Sequence, residues 1–173
     1  MSGAIYSETQ AFAQPWIWVL VTALAAFAWW AGIRQIFLGR PVGSVPGPDG
    51  LIIGLWVVIG VLLPLFLATS VMVTTIDAEG LDVRVVHGLF PRIRIPHDEI
   101  VSAEAMTYQP LLQWGGWGFR RDTSGDAAYS VGGREAVRIQ TTGGRFLLVG
   151  TRNPDALLLA LQAAGHSRPE ALR

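Results

Sequence analysis

The stretch LIIGLWVVIGVLLPLFLATSVMV, residues 51–73, holds 23 consecutive residues without a charge. At about 1.5 Å of rise per residue such a helix reaches about 34 Å, enough to cross a hydrocarbon core roughly 30 Å thick. An earlier run, WIWVLVTALAAFAWWAGI at residues 16–33, is uncharged as well. Together they predict a transmembrane helical hairpin over 15–73, with spans at 16–38 and 51–73 and a loop at 39–50. That loop carries Pro41, Pro46 and Pro48 with Gly39, Gly43, Gly47 and Gly50, residue types that turn a chain rather than extend a helix. Residues 1–14 read as an N-terminal tail; with Glu8 and no Lys or Arg they do not resemble a secretory signal, so the first helix is expected to be retained.

Working outward from the spans, Pro15 sits at the first helical position, where its missing N–H costs nothing. Trp16 and Trp18 mark one end of the first helix and Trp29 and Trp30 the other, about 20 Å apart, the spacing of interfacial aromatic anchors. Arg34 falls near the helix end, where its stem lies in hydrocarbon and its head reaches the interface. Ala28 and Gly32, four apart, form a small-residue face on which another helix can approach closely. In the second span Pro64 is expected to kink the helix or free a backbone carbonyl, with Gly54 and Gly60 adding flexibility.

After residue 73 the hydrophobic period changes from helical to alternating, and 74–165 reads as one β-rich domain followed by a tail at 166–173. A hairpin turns at Ala78-Glu79-Gly80, with Leu81, Val83 and Val85 facing inward; Ile93 and Ile95 do the same in the next strand, leaving Arg92 and Arg94 outside. Further strands are expected near 99–108, 115–121 and 128–131, and a last hairpin pairs 135–141 with 145–149 around Thr142-Gly143-Gly144. Asn153-Pro154-Asp155 then starts a helix that closes near Gly165. About seven short strands and one helix predict a small antiparallel barrel covered by that helix.

The segment Arg92-Ile-Arg-Ile-Pro-His-Asp-Glu-Ile100, with Tyr108-Gln-Pro and the signature Gly115-Gly-Trp-Gly-Phe-Arg120, resembles the bacterial PH-like domains carried by small two-span membrane proteins. The resemblance covers roughly residues 15–165. It implies a seven-strand barrel with a C-terminal helix, an inner-membrane location with the head and both termini in the cytoplasm, and no catalytic residue. Counting Arg34 and Arg40 in the loop against Arg84 and Arg92 in the head leaves the two sides level, so this topology rests on the resemblance. PH domains that bind phosphoinositides use basic side chains around the first hairpin turn. Here that turn is Ala78-Glu79-Gly80 between Asp77 and Asp82, and the cation site is missing.

The chemistry-bearing residues are sparse. With no cysteine, thiolate catalysis and the usual structural zinc sites are excluded. All 13 basic residues are arginine and the net charge is zero, which removes Schiff-base chemistry and disfavours nucleic acid. His87, His97 and His166 lack the spacing of a metal clamp, and no serine lies in a nucleophile elbow. No cofactor, metal or catalytic residue is expected. Trp114, Trp117, Phe119, Arg120 and Arg121 form the one soluble segment rich in the residue types that anchor protein interfaces. The expectation is a non-enzymatic accessory or scaffold subunit that packs beside a larger integral-membrane complex, such as a transporter or energy-transducing assembly, and docks its head there. The alternatives are a stand-alone lipid- or peptide-binding module and a self-assembling homo-oligomer in the lipid bilayer.

Overall fold

A computed structural model describes residues 3–43, 47–86 and 90–166. The chain divides into two compact units: Phe12–Ser70, all helical, and Met1–Ala11 with Val71–Arg173, which holds every strand described.

In the helical unit, α1 spans Pro15–Phe37 and α2 spans Asp49–Thr69, 23 and 21 residues, each long and apolar enough to cross a membrane. Pro15 starts α1, and the indole N–H of Trp18 donates to the Phe12 carbonyl at 2.8 Å across the entry. Helix α2 widens into a π turn at Val58–Leu62, where the Leu63 N–H donates to the Val58 carbonyl. Pro64 is the physical reason: it has no N–H for the Gly60 carbonyl and its ring crowds that oxygen. The freed Gly60 carbonyl accepts the indole N–H of Trp29 on α1 at 3.1 Å. Trp29 and Trp56 meet edge to face with ring centroids 5.0 Å apart. Ala28 and Gly32 are buried, and Gly32 is required by packing: a Cβ there stands 2.7 Å from Cδ2 of Trp56. The small-residue face thus receives α2 itself. Outside this seam the helices stay apolar and open; Val19 and Phe37 are each 70% exposed, and Gly60 is the one described residue of α2 that is buried.

The second unit begins earlier than its hydrophobic pattern suggests. Strand β1, Tyr6–Ala11, lies in the segment expected to be a tail and pairs antiparallel with β2, Val71–Ile76, placing Glu8 opposite Thr74. Its inward residues are Tyr6, Glu8 and Gln10, so the alternation is present but polar. Two junctions hold them. Glu8 accepts from the Tyr6 hydroxyl at 2.7 Å, the Thr151 hydroxyl at 2.6 Å and the Arg152 N–H at 2.9 Å, and Gln10 donates to the Gly150 carbonyl at 2.8 Å. Strands β3, Gly80–Val86, and β4, Ile93–Pro96, complete a four-stranded antiparallel sheet in the order β1-β2-β3-β4. Met72, Ile76, Leu81 and Val83 are fully buried there.

A 3-10 turn, His97–Glu99, carries the chain to a second sheet built from β5, Ile100–Thr107; β6, Gly118–Arg121; β7, Ala127–Ser130; β8, Glu135–Thr141; and β9, Phe146–Gly150. Its order is β5-β8-β9-β7-β6, with β7 and β9 parallel. The expected closed barrel of about seven strands is therefore corrected: the nine described strands form two separate sheets. The reason is pairing, because β5 takes β8 as its neighbour rather than β4, and among the described residues no ladder joins the sheets. Between β5 and β6 a short helix, α3, runs over Pro110–Trp114; the last element, α4, runs over Pro154–His166 with the Asn153 side chain accepting the Ala156 N–H at 3.1 Å. Leu157 of α4, with Val137, Ile139 and Val149 of the sheet, is fully buried.

Candidate functional site

Arginine placement separates structural charge from available charge. On the first sheet Arg92 pairs with Asp82 at 2.6 Å, and Arg94 bridges Asp77 at 2.9 Å and Glu79 at 2.8 Å. Asp77 also accepts the N–H groups of Glu79 and Gly80, and these bonds, with Arg94 beside them, hold its carboxyl below the usual range. The turn between β2 and β3 is thus lined by carboxylates paired with Arg94 of β4. His97 contacts the Asp77 carbonyl through Nε2 at 2.8 Å; His87 lies outside the described residues, as does the side chain of His166. Among the described residues no group of three or more acidic or imidazole side chains converges on one point.

The Trp/Arg segment is arranged differently. Pro110 opens α3 and Gly115, at φ 67°, closes it in the left-handed region, where the Gly116 N–H donates to the Pro110 carbonyl at 3.0 Å. Gly118, at φ 100°, a backbone conformation that L side chains rarely adopt, then swings the chain into β6 beside the Phe90 ring. The glycine signature is therefore a helix stop followed by a tight entry to an edge strand. The indole N–H of Trp117 donates to the Gly133 carbonyl at 3.4 Å, joining this loop to the one before β8. Gln109, Pro110, Leu112, Trp117 and Arg134 line an open cleft of about 270 Å³. Leu112 stands beside it, 83% exposed, the most exposed large apolar side chain described.

The structure places the segment's other members around this cleft's strand. Phe119 is half-buried, packed at a tilt against Tyr129 with centroids 4.9 Å apart, and the Arg121 guanidinium lies 5.9 Å from the Phe119 ring. Tyr129 is buried, donates to the Pro91 carbonyl at 2.6 Å, and has its hydroxyl pKa pushed up by that burial. Arg120 is exposed and donates to the Phe119 carbonyl at 3.4 Å. The side chain of Trp114 lies outside the described residues. No carboxylate among the described residues pairs with Arg120, Arg121 or Arg134. Leu112 and Arg134 did not emerge from the sequence. Arg134 lies in the β7–β8 loop, and only the fold brings it to Trp117. The available chemistry is that of recognition: an apolar contact and an indole beside the Arg134 guanidinium, with two more exposed guanidinium groups on β6.

In the helical unit Trp16 is exposed at the start of α1, and the Arg34 guanidinium lies 5.3 Å from the Trp30 ring at its end. Trp18 and Trp29, expected as interfacial anchors, spend their N–H groups on backbone carbonyls within this unit.

Comparison with known proteins gives one result. A family of unknown function, DUF6141, matches residues 1–167, and the chain belongs to that family. No curated protein and no solved structure matches it.

Proposed function

We propose that this DUF6141 family member is a non-enzymatic, membrane-anchored docking subunit of a larger integral-membrane assembly, such as a transporter or an energy-transducing complex. In this reading α1 and α2 cross the inner membrane of a bacterium, and the β-rich unit, a PH-like head, faces the cytoplasm. The exposure of the helices supports the span: a core helix of a soluble protein buries its apolar side chains, whereas Leu51, Ile53, Leu55, Val58, Leu62 and Leu65 of α2 are all open. Two antiparallel-rich sheets followed by a capped helix are consistent with a PH-like ancestry, without the closed barrel.

The observation that carries the docking half is Leu112, 83% exposed at the cleft that Trp117 and Arg134 also line, with Arg120 and Arg121 exposed on the strand β6 that follows. A protruding apolar residue next to an indole and guanidinium groups has the make-up of an interface centre, and its charge selects an acidic protein surface. The test is a photoreactive amino acid at position 112 of the full chain in its native membrane. Crosslinking to one integral-membrane protein, lost when Arg120 and Arg121 are both changed to Glu, supports docking; crosslinking to lipid alone favours a stand-alone lipid-binding module, a reading that the same Leu112 and arginines would serve at an anionic bilayer.

A further inference from the structure

We infer that the loop end of the helical hairpin holds the phosphate group of an anionic phospholipid between Arg34 and Arg40. The inference rests on the reading of α1 and α2 as membrane spans. Arg34 and Arg40 line one cleft of about 330 Å³ together with Trp30, Ile33 and Leu38. On a continuous α-helix two residues six apart point about 120° away from each other and stand about 9 Å apart along the axis. Here the π turn at Ile33–Phe37, the Gly39 backbone at φ 60° and the Arg40 N–H donating to the Arg34 carbonyl at 3.0 Å fold the chain back, so both side chains reach the same hollow.

The charge balance of this unit makes the pair available. Between Phe12 and Ser70 the sequence has one acidic residue, Asp49, and two basic ones, Arg34 and Arg40. Asp49 is engaged elsewhere, accepting from Gln35 Nε2 at 2.9 Å while that same amide donates to the Gly47 carbonyl at 2.9 Å. No carboxylate among the described residues pairs with either arginine. The Arg34 guanidinium is steadied over the Trp30 ring at 5.3 Å, which leaves its N–H edge for an acceptor. Trp30, Ile33 and Leu38 are exposed apolar walls that continue into the outer surface of α1. Two guanidinium groups over apolar walls, at the end of a span, match a phosphate head with acyl chains below it. A free phosphate uses the arginines but not the walls.

The experiment uses the full chain in mild detergent, with bound ligand counted by native mass spectrometry. Added phosphatidylglycerol, phosphatidylcholine and inorganic phosphate are compared, on the natural chain and on Arg34→Gln, Arg40→Gln and the double variant. Phosphatidylglycerol is expected to be retained over phosphatidylcholine, each substitution lowering its retention about fivefold and the two together about 25-fold. Arg34→Lys with Arg40→Lys keeps the charge and recovers most of the binding. Unchanged retention in the double Gln variant overturns the site, and displacement by millimolar inorganic phosphate overturns its assignment to lipid. Alkaline carbonate extraction of membranes separates the underlying reading: release of the natural chain sinks the spanning hairpin, whereas a chain that stays in the pellet yet binds both lipids equally sinks the lipid site alone.

Discussion

Replacing Glu8 with Ala should detach β1 from the β-rich unit, and the structure sets the size of the effect. The carboxylate accepts three hydrogen bonds, from Tyr6 at 2.7 Å, Thr151 at 2.6 Å and the Arg152 N–H at 2.9 Å. Bonds to a charged acceptor contribute about 1.5 kcal/mol each at the lower end, and the exposed Arg152 N–H regains water when the acceptor leaves. The Tyr6 bond lies within β1, so the bonds that cross from the strand are those to Thr151 and Arg152, and the net loss is roughly 1.5–2 kcal/mol, or an increase of about 10- to 30-fold in local opening. The assay is amide hydrogen exchange on the full chain in detergent, read at the β1 amides and at their partners in β2. Protection should fall by that factor in both strands, with little change in α1 and α2, while Glu8→Gln, which keeps one acceptor oxygen, should lose about half as much free energy. Exchange at β1 unchanged within about twofold in Glu8→Ala would refute the reasoning, because the strand would then be held by its ladder alone.

Three other outcomes follow from the same geometry. Burial and the nearby Glu8 carboxylate push the Tyr6 hydroxyl up to about 12; the folded state keeps that proton longer than the unfolded chain, so its contribution is whole below pH 10 and disappears as pH rises toward 12, and a pH series of unfolding midpoints should show this loss in the natural chain but not in Tyr6→Phe. Gly32→Ala puts a Cβ 2.7 Å from Trp56 and should weaken the helix pair by about 1–3 kcal/mol, measured as an earlier SDS midpoint of the tryptophan circular dichroism signal. Pro64→Ala restores an N–H that competes for the Gly60 carbonyl, so the Trp29 indole proton should exchange faster in an NMR comparison; an unchanged signal would mean that the π turn has another cause.

Hydrophobic period was enough to read the two long helices, the β-rich second half and the Asn-capped last helix, because each depends on local pattern. Pro64 was legible as a freed carbonyl, but its acceptance of Trp29 was not, since that bond spans 31 residues. Strand β1 escaped for a physical reason: its inward face is Tyr6, Glu8 and Gln10, and polar residues satisfied by a distant backbone leave no apolar alternation to detect. Sheet order was equally hidden, because short apolar strands such as Ala127–Ser130 carry no sign of which neighbour they join, and the pairing of β5 with β8 rather than β4 left two sheets where a barrel was expected. At the site, the glycines around Trp117 announced a special backbone, whereas Leu112 looked ordinary until its exposure was known.

The central claim is that the head docks on an integral-membrane assembly through the Leu112 and Trp117 surface. The most direct measurement is purification of the tagged full chain from its native membrane in mild detergent, alongside Leu112→Asp, with the co-eluting proteins identified and their stoichiometry determined. The account predicts a fixed set of integral-membrane subunits with the natural chain and their loss, at equal yield of the tagged chain, with Leu112→Asp. Elution of the natural chain by itself, or an identical set of subunits with both chains, would contradict it.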